Sequence, residues 1–126
     1  RSGKIRHERE DFANIMLGYK NDKVAIISSN WITPKKVRKF SAVCTEAIIS
    51  SDFISQEIIV EKDEEVERIE NEKQEPLLKE IQNFLDAIYN KTEQIVKSQE
   101  AVNVTKIAEA ALLSSQKGTP IYLDLK

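Results

Sequence analysis

The chain is poor in the residues from which compact functional sites are most often built. It has one cysteine, Cys44, so no disulfide closes within it and no multi-cysteine metal cluster can form. A lone thiol suits a reducing cytoplasm, which is the expected compartment. The single histidine, His7, argues against a His-based zinc site, because such sites draw on several His or Cys ligands. Glycine occurs only at positions 3, 18 and 118, and none stands in a phosphate-cradling spacing. A dinucleotide site of the usual kind is therefore not expected in this chain. With 3 glycines and 3 prolines, low-complexity disorder is not expected either. No run approaches the roughly 20 apolar residues of a membrane span. The opening Arg1-Ser2-Gly3-Lys4 has no apolar leader, and the only methionine is Met16, so we expect the natural start to lie upstream.

What is present is one domain's worth of chain, 126 residues, with charge unevenly spread. Residues 1–39 carry 10 basic and 4 acidic side chains, whereas residues 40–100 carry 6 and 15. A basic first third can attract an anionic ligand. The acidic run 61–75 reads as a solvated edge strand and linker.

Hydrophobic periodicity is first strand-like and then helical. Ala13, Ile15, Leu17 and Tyr19 alternate, Asn21-Asp22 is a good turn pair, and residues 24–31 are β-branched. These predict a hairpin. Pro34 marks a connection or an edge, since it cannot donate to a ladder. Strands are then expected over 37–44, 47–54 and 57–61, with a short one near 66–69. From Pro76 the period changes. Leu77, Ile81, Phe84, Leu85 and Ile88 predict an amphipathic helix over 76–90. Ser98 is the expected N-cap of a second helix over 99–116, with its stripe on Ala101, Val104, Ala108, Ala111 and Leu112, broadened by Ile107 and Ala110. Gly118 and Pro120 stop it. Ile121, Leu123 and Leu125 alternate as a last strand. Strands first and helices last predict an α+β domain: a mostly antiparallel open sheet with two C-terminal helices packed on one face.

No residue stands out as catalytic. Cys44 sits in a strand pattern as a small core residue, and His7 lies in a charged leader as a surface residue. The segment 30–38, Asn-Trp-Ile-Thr-Pro-Lys-Lys-Val-Arg, differs from the rest. It holds the only tryptophan, a proline-fixed turn and three cations within four positions. Trp31 offers a stacking face and the cations offer phosphate partners, which suits a phosphorylated, ring-containing ligand. The plainer alternative is a basic surface turn with Trp31 capping the core.

Several segments together resemble the C-terminal domain of the Gfo/Idh/MocA oxidoreductases, the glucose–fructose oxidoreductase and inositol dehydrogenase family. The tail carries most of the likeness: Glu75-Pro76-Leu77, Glu80-Ile81, Phe84 and Ile88, then Ile107-Ala108, Ala110-Ala111, Ser114-Ser115, Gly118 and Pro120-Ile121. The hairpin 10–31 is similar to the family's first hairpin, and residues 30–38 look most like the subgroup acting on nucleotide-linked amino sugars. Cys44 and Ala47 stand where the family usually has turn glycines. The family's Glu-Lys-Pro and Asp-x-x-x-His motifs do not occur, so no catalytic residue is carried over.

The resemblance implies that residues 1–126 are a truncated substrate and oligomerisation domain, whose Rossmann partner is absent. The intact protein would use NAD or NADP, with none bound by this fragment, to oxidise a sugar or nucleotide-sugar hydroxyl. It would form a homo-oligomer, with a dimer as the default, and engage neither nucleic acid nor membrane. Trp31, Thr33, Lys35 and Lys36 would approach the substrate. The alternatives are a stand-alone non-catalytic binding or assembly module, and a nucleic-acid binder using the basic first third, which lacks the exposed aromatics such binders add.

Overall fold

The computed structural model describes residues 2–5 and 8–125. These form β1 (Ser2–Gly3), β2 (Phe12–Gly18), β3 (Val24–Asn30), β4 (Lys39–Val43), β5 (Ile48–Asp52), β6 (Glu57–Glu61), β7 (Val66–Ile69), α1 (Pro76–Tyr89) and α2 (Ser98–Lys117). The class is α+β, as the sequence predicts. The strands form two open antiparallel sheets, in the orders β1-β2-β3 and β4-β5-β6-β7, where one sheet was expected. The break falls in residues 31–38, where Pro34 cannot donate to a ladder and β3 gives way to a loop. The chain divides into two compact units, Arg1–Pro34 with Gln94–Lys126, and Lys35–Glu93.

The first unit holds β1, β2, β3 and α2. The β2–β3 ladder runs from Phe12↔Asn30 to Gly18↔Val24 and is closed by the predicted turn, in which Asp22 adopts φ 63°. Alternation sorts its two faces. Ala13, Ile15, Leu17 and Ala25 are partly covered, whereas Met16 and Ile26, a cross-strand pair, are 73% and 75% exposed. Gly3 pairs with Phe12, and the Phe12 ring lies where a side chain at position 3 would project.

Helix α2 begins after Lys97, whose N–H donates to the Glu100 carboxylate at 2.8 Å. Ser98, the expected N-cap, is the first helical residue instead. The helix stops where expected, with Gly118 at φ 68° and its N–H donating to the Ser114 carbonyl at 2.8 Å. Ile107, Ala110 and Ala111 are the better-covered members of its stripe, while Val104, Ala108 and Leu112 are exposed. The expected last strand over 121–125 is not formed. Alternation alone makes no strand, and these residues have no ladder partner among the described residues.

The second unit is a four-stranded meander followed by α1. Its register sets Lys39↔Asp52↔Glu57 and Ser41↔Ser50↔Ile59 on one face, with Phe40↔Ser51↔Ile58 and Ala42↔Ile49↔Val60 on the other. One face is thus mostly polar and the other mostly apolar, as one-sided antiparallel sheets are. In the β5–β6 turn, Asp52 Oδ1 accepts from the N–H groups of Ile54 and Ser55, and Gln56 adopts φ 58°. Helix α1 starts at Pro76, and the Glu75 carboxylate accepts from the Leu77 N–H at 3.5 Å. Helix α1 belongs to the second unit and α2 to the first. Phe84 and Ile88, expected inside, are each 54% exposed, because a small open sheet offers too little surface to enclose a helix stripe.

Candidate functional site

The loop after β3 is built by one side chain. Asn30, the last residue of the strand, turns its amide oxygen back to accept the N–H groups of Ile32 at 3.2 Å and Thr33 at 3.0 Å. This Asx turn satisfies the two donors that a continuing ladder would otherwise use, and it ends the strand. Trp31 is 84% exposed, so it does not cap a core among the described residues. On the side before the turn, the Trp31 N–H donates to the Asp11 carbonyl at 2.9 Å.

Of the four expected ligand residues, Trp31 and Thr33 end the first unit's segment, and Lys35 and Lys36 open the second's. All four are exposed and follow one another along the same connection. Neither lysine is tied up in an ion pair among the described residues, whereas Lys39 pairs with Asp52 at 3.4 Å. An exposed indole offers a flat ring a stacking face, and an unpaired ammonium group can meet a phosphate. None of the four lines the shallow concavity of about 430 Å³ on the four-stranded sheet, which lies among Lys39, Ser41, Ser50, Asp52, Glu57 and Ile59.

Asp52 is the one group on that sheet whose acidity is clearly changed. Its carboxyl is held below the usual carboxylate range, first by the N–H groups of Ile54 and Ser55, then by Lys39. Cys44 is exposed at the β4–β5 turn, where its N–H donates to the Ala47 carbonyl at 2.9 Å, so it is not the core residue its strand pattern predicts. His7 lies outside the described residues. No cluster of three metal-ligating side chains occurs among the described residues, and no described helix is long and apolar enough to cross a membrane.

Sequence reasoning missed Asp11. It is 2% exposed and is the one buried side chain among the described residues. In sequence it closes a charged leader, Glu8-Arg9-Glu10-Asp11, and nothing there separates it from its solvated neighbours.

Three solved structures share this architecture. Two are of the UDP-N-acetylglucosamine 3-dehydrogenase GnnA from Acidithiobacillus ferrooxidans, with TM-scores of 0.73 and 0.74 at 20% identity, each over 89% of this chain and 36% of that one. The third is an assigned oxidoreductase from Thermotoga maritima, with a TM-score of 0.75 at 18% identity over 89% of this chain and 34% of that one. The chain shares the fold of the part of those structures that it covers. It spans about a third of the length of these structures. No protein-family model matches the chain, and no curated protein does.

The diphosphate of a dinucleotide needs free N–H groups at a glycine-rich helix N-terminus, and the described residues present none. Gly3 faces the Phe12 ring, Gly18 ends a hairpin strand, and Gly118 terminates α2 at the opposite pole. The N-termini of α1 and α2 already hold the carboxylates of Glu75 and Glu100, which would repel a phosphate.

Proposed function

We propose that this chain is the substrate-side and subunit-contact domain of an NAD- or NADP-dependent oxidoreductase that acts on a sugar or nucleotide-sugar hydroxyl, with the cofactor held by other parts of the intact protein. The observation that carries this reading is the loop of residues 30–36 on a fold shared with a UDP-N-acetylglucosamine 3-dehydrogenase. Asn30 presents Trp31 bare to solvent, and Lys35 and Lys36 follow it unpaired among the described residues. A uridine or sugar ring stacks on the indole, and the diphosphate meets the lysines. Thr33 adds a hydroxyl for the sugar.

The subunit-contact half of the proposal rests on the three-stranded sheet. Met16, Val24 and Ile26 form an apolar patch on its outward face. Contiguous apolar surface of this kind marks an interface, and a two-fold pair of identical chains is the default symmetry.

Titration with UDP-N-acetylglucosamine, followed through the only tryptophan, tests the ligand reading. We expect a saturable change in Trp31 emission with the sugar nucleotide and none with NAD. A response to NAD alone would overturn the assignment of this loop.

A further inference from the structure

We propose that Asp11 is a positioning residue for Trp31, coupling the segment 2–5 to the backbone from which the indole projects. The inference deepens the ligand reading above and rests on it only for what Trp31 meets.

A buried carboxylate is uncommon and is kept only where hydrogen bonds replace its water. Asp11, at 2% exposure, uses backbone and side chain together. Its N–H donates to the Gly3 carbonyl at 2.8 Å, joining β1 to the start of β2. Its own carbonyl accepts the Trp31 N–H at 2.9 Å, one position beyond the last ladder pair, Phe12↔Asn30. Its Oδ2 accepts the Ile5 N–H at 2.6 Å, a short charge-assisted bond across the loop that leads from β1. One residue thus holds the segment 2–5 on one side and Trp31 on the other.

That geometry matters because the Trp31 side chain is 84% exposed. Little packing holds the indole, so its backbone is what constrains it, by fixing the direction of the Cα–Cβ bond. Asn30 fixes the chain after Trp31 through Ile32 and Thr33, and Asp11 fixes it before. Without the carboxylate anchor, Asp11 is free to shift and the bond to Trp31 loosens with it. A stacking residue whose point of attachment is fixed has less freedom to lose on binding. Coupling of this kind is reciprocal: whatever orders residues 2–5 orders Trp31, and whatever stacks on Trp31 steadies residues 2–5.

Amide hydrogen exchange on this chain, with anisotropy of the single tryptophan, tests the coupling. Asp11→Ala removes the carboxylate and keeps every backbone group. Exchange at Ile5 and at Trp31 should both quicken about tenfold, the loss of roughly one hydrogen bond. Trp31 anisotropy should fall, while Ile15 and Ile27, paired in mid-ladder, keep their protection. Asp11→Asn, which retains an oxygen acceptor at the same reach, should restore both sites. An Ile5 amide that quickens while Trp31 stays protected and ordered overturns the proposal, as does equal loosening of the whole ladder. Should Asp11→Ala fail to fold, Ile5→Pro removes the donor instead, at an exposed position. Trp31 must then loosen in the same way, and an unchanged Trp31 overturns the coupling. In wild type, an emission unmoved by UDP-N-acetylglucosamine counts against the ligand reading, and the exchange result alone decides the coupling.

Discussion

The side-chain amide of Gln56 grips both backbone groups of Gln74: Nε2 donates to the Gln74 carbonyl at 2.7 Å, and the Gln74 N–H donates to Oε1 at 2.9 Å. A side chain here plays the part of a neighbouring strand. It seats the chain just before Glu75 and Pro76, where α1 begins. Gln56 does this from a left-handed backbone at φ 58°, which costs a non-glycine residue about 1 kcal/mol.

Two substitutions separate those effects. Gln56→Ala loses the clamp and keeps the strain, and should cost about 1–3 kcal/mol. Gln56→Gly loses the same clamp and releases the strain, so it should be less destabilising by about 1 kcal/mol. Urea unfolding of both variants checks this, and a glycine variant weaker than the alanine one would contradict it.

Asp52 predicts an acid-side loss of stability. Its folded carboxyl titrates below its ordinary range because the N–H groups of Ile54 and Ser55, and then Lys39, favour the charged form. A depressed folded value gives stability that is complete above the ordinary carboxylate pKa and is lost as pH falls through the folded one. The window therefore opens near pH 4 and extends below it. Asp52→Asn keeps an oxygen for Ile54 and Ser55 but cannot titrate. Its urea midpoint should change less between pH 6 and pH 3 than that of wild type, and equal changes would assign the acid loss elsewhere.

Gly118→Ala isolates a backbone term. Nothing lies within 4 Å of where the added methyl group would sit, so only the left-handed φ of 68° is penalised. We expect a loss of about 1 kcal/mol, concentrated in the last turn of α2. Thermal unfolding and exchange at Lys117 and Gly118 measure it. An unchanged midpoint would mean that the turn re-forms without a left-handed residue.

Much of this fold was legible because it is local. Alternation placed β2, β-branched residues placed β3, the strands expected over 37–44, 47–54, 57–61 and near 66–69 are β4 to β7, the Asn21-Asp22 pair marked the hairpin turn, and Pro76 and Gly118 marked a helix start and a helix stop. What failed was non-local. Ile121, Leu123 and Leu125 alternate as well as Ile15 and Leu17 do, yet only the latter have a partner edge. Pro34 announced a break, but not that the break divides the strands between two sheets. Trp31 and the lysines stood out by composition. Asp11 did not, because burial of one acid among several depends on where the chain returns, and a leader of charges carries no such signal.

The outward face of the three-stranded sheet predicts self-association. Met16 and Ile26 are paired and lie at its centre. Wild type should sediment as a concentration-dependent dimer or larger at micromolar levels. Ile26→Lys, which places a charge in the patch and leaves the ladder intact, should yield monomer. A wild-type monomer at every concentration would remove this face from the account.

The proposed ligand loop is tested most directly by Lys36→Ala in the intact oxidoreductase proposed above, assayed for nicotinamide-dependent oxidation of UDP-N-acetylglucosamine. Loss of one ammonium–phosphate contact should raise KM for the sugar nucleotide about tenfold and leave KM for the nicotinamide cofactor as it was. A variant with both KM values and kcat unchanged would contradict the assignment and return residues 30–36 to an ordinary surface loop.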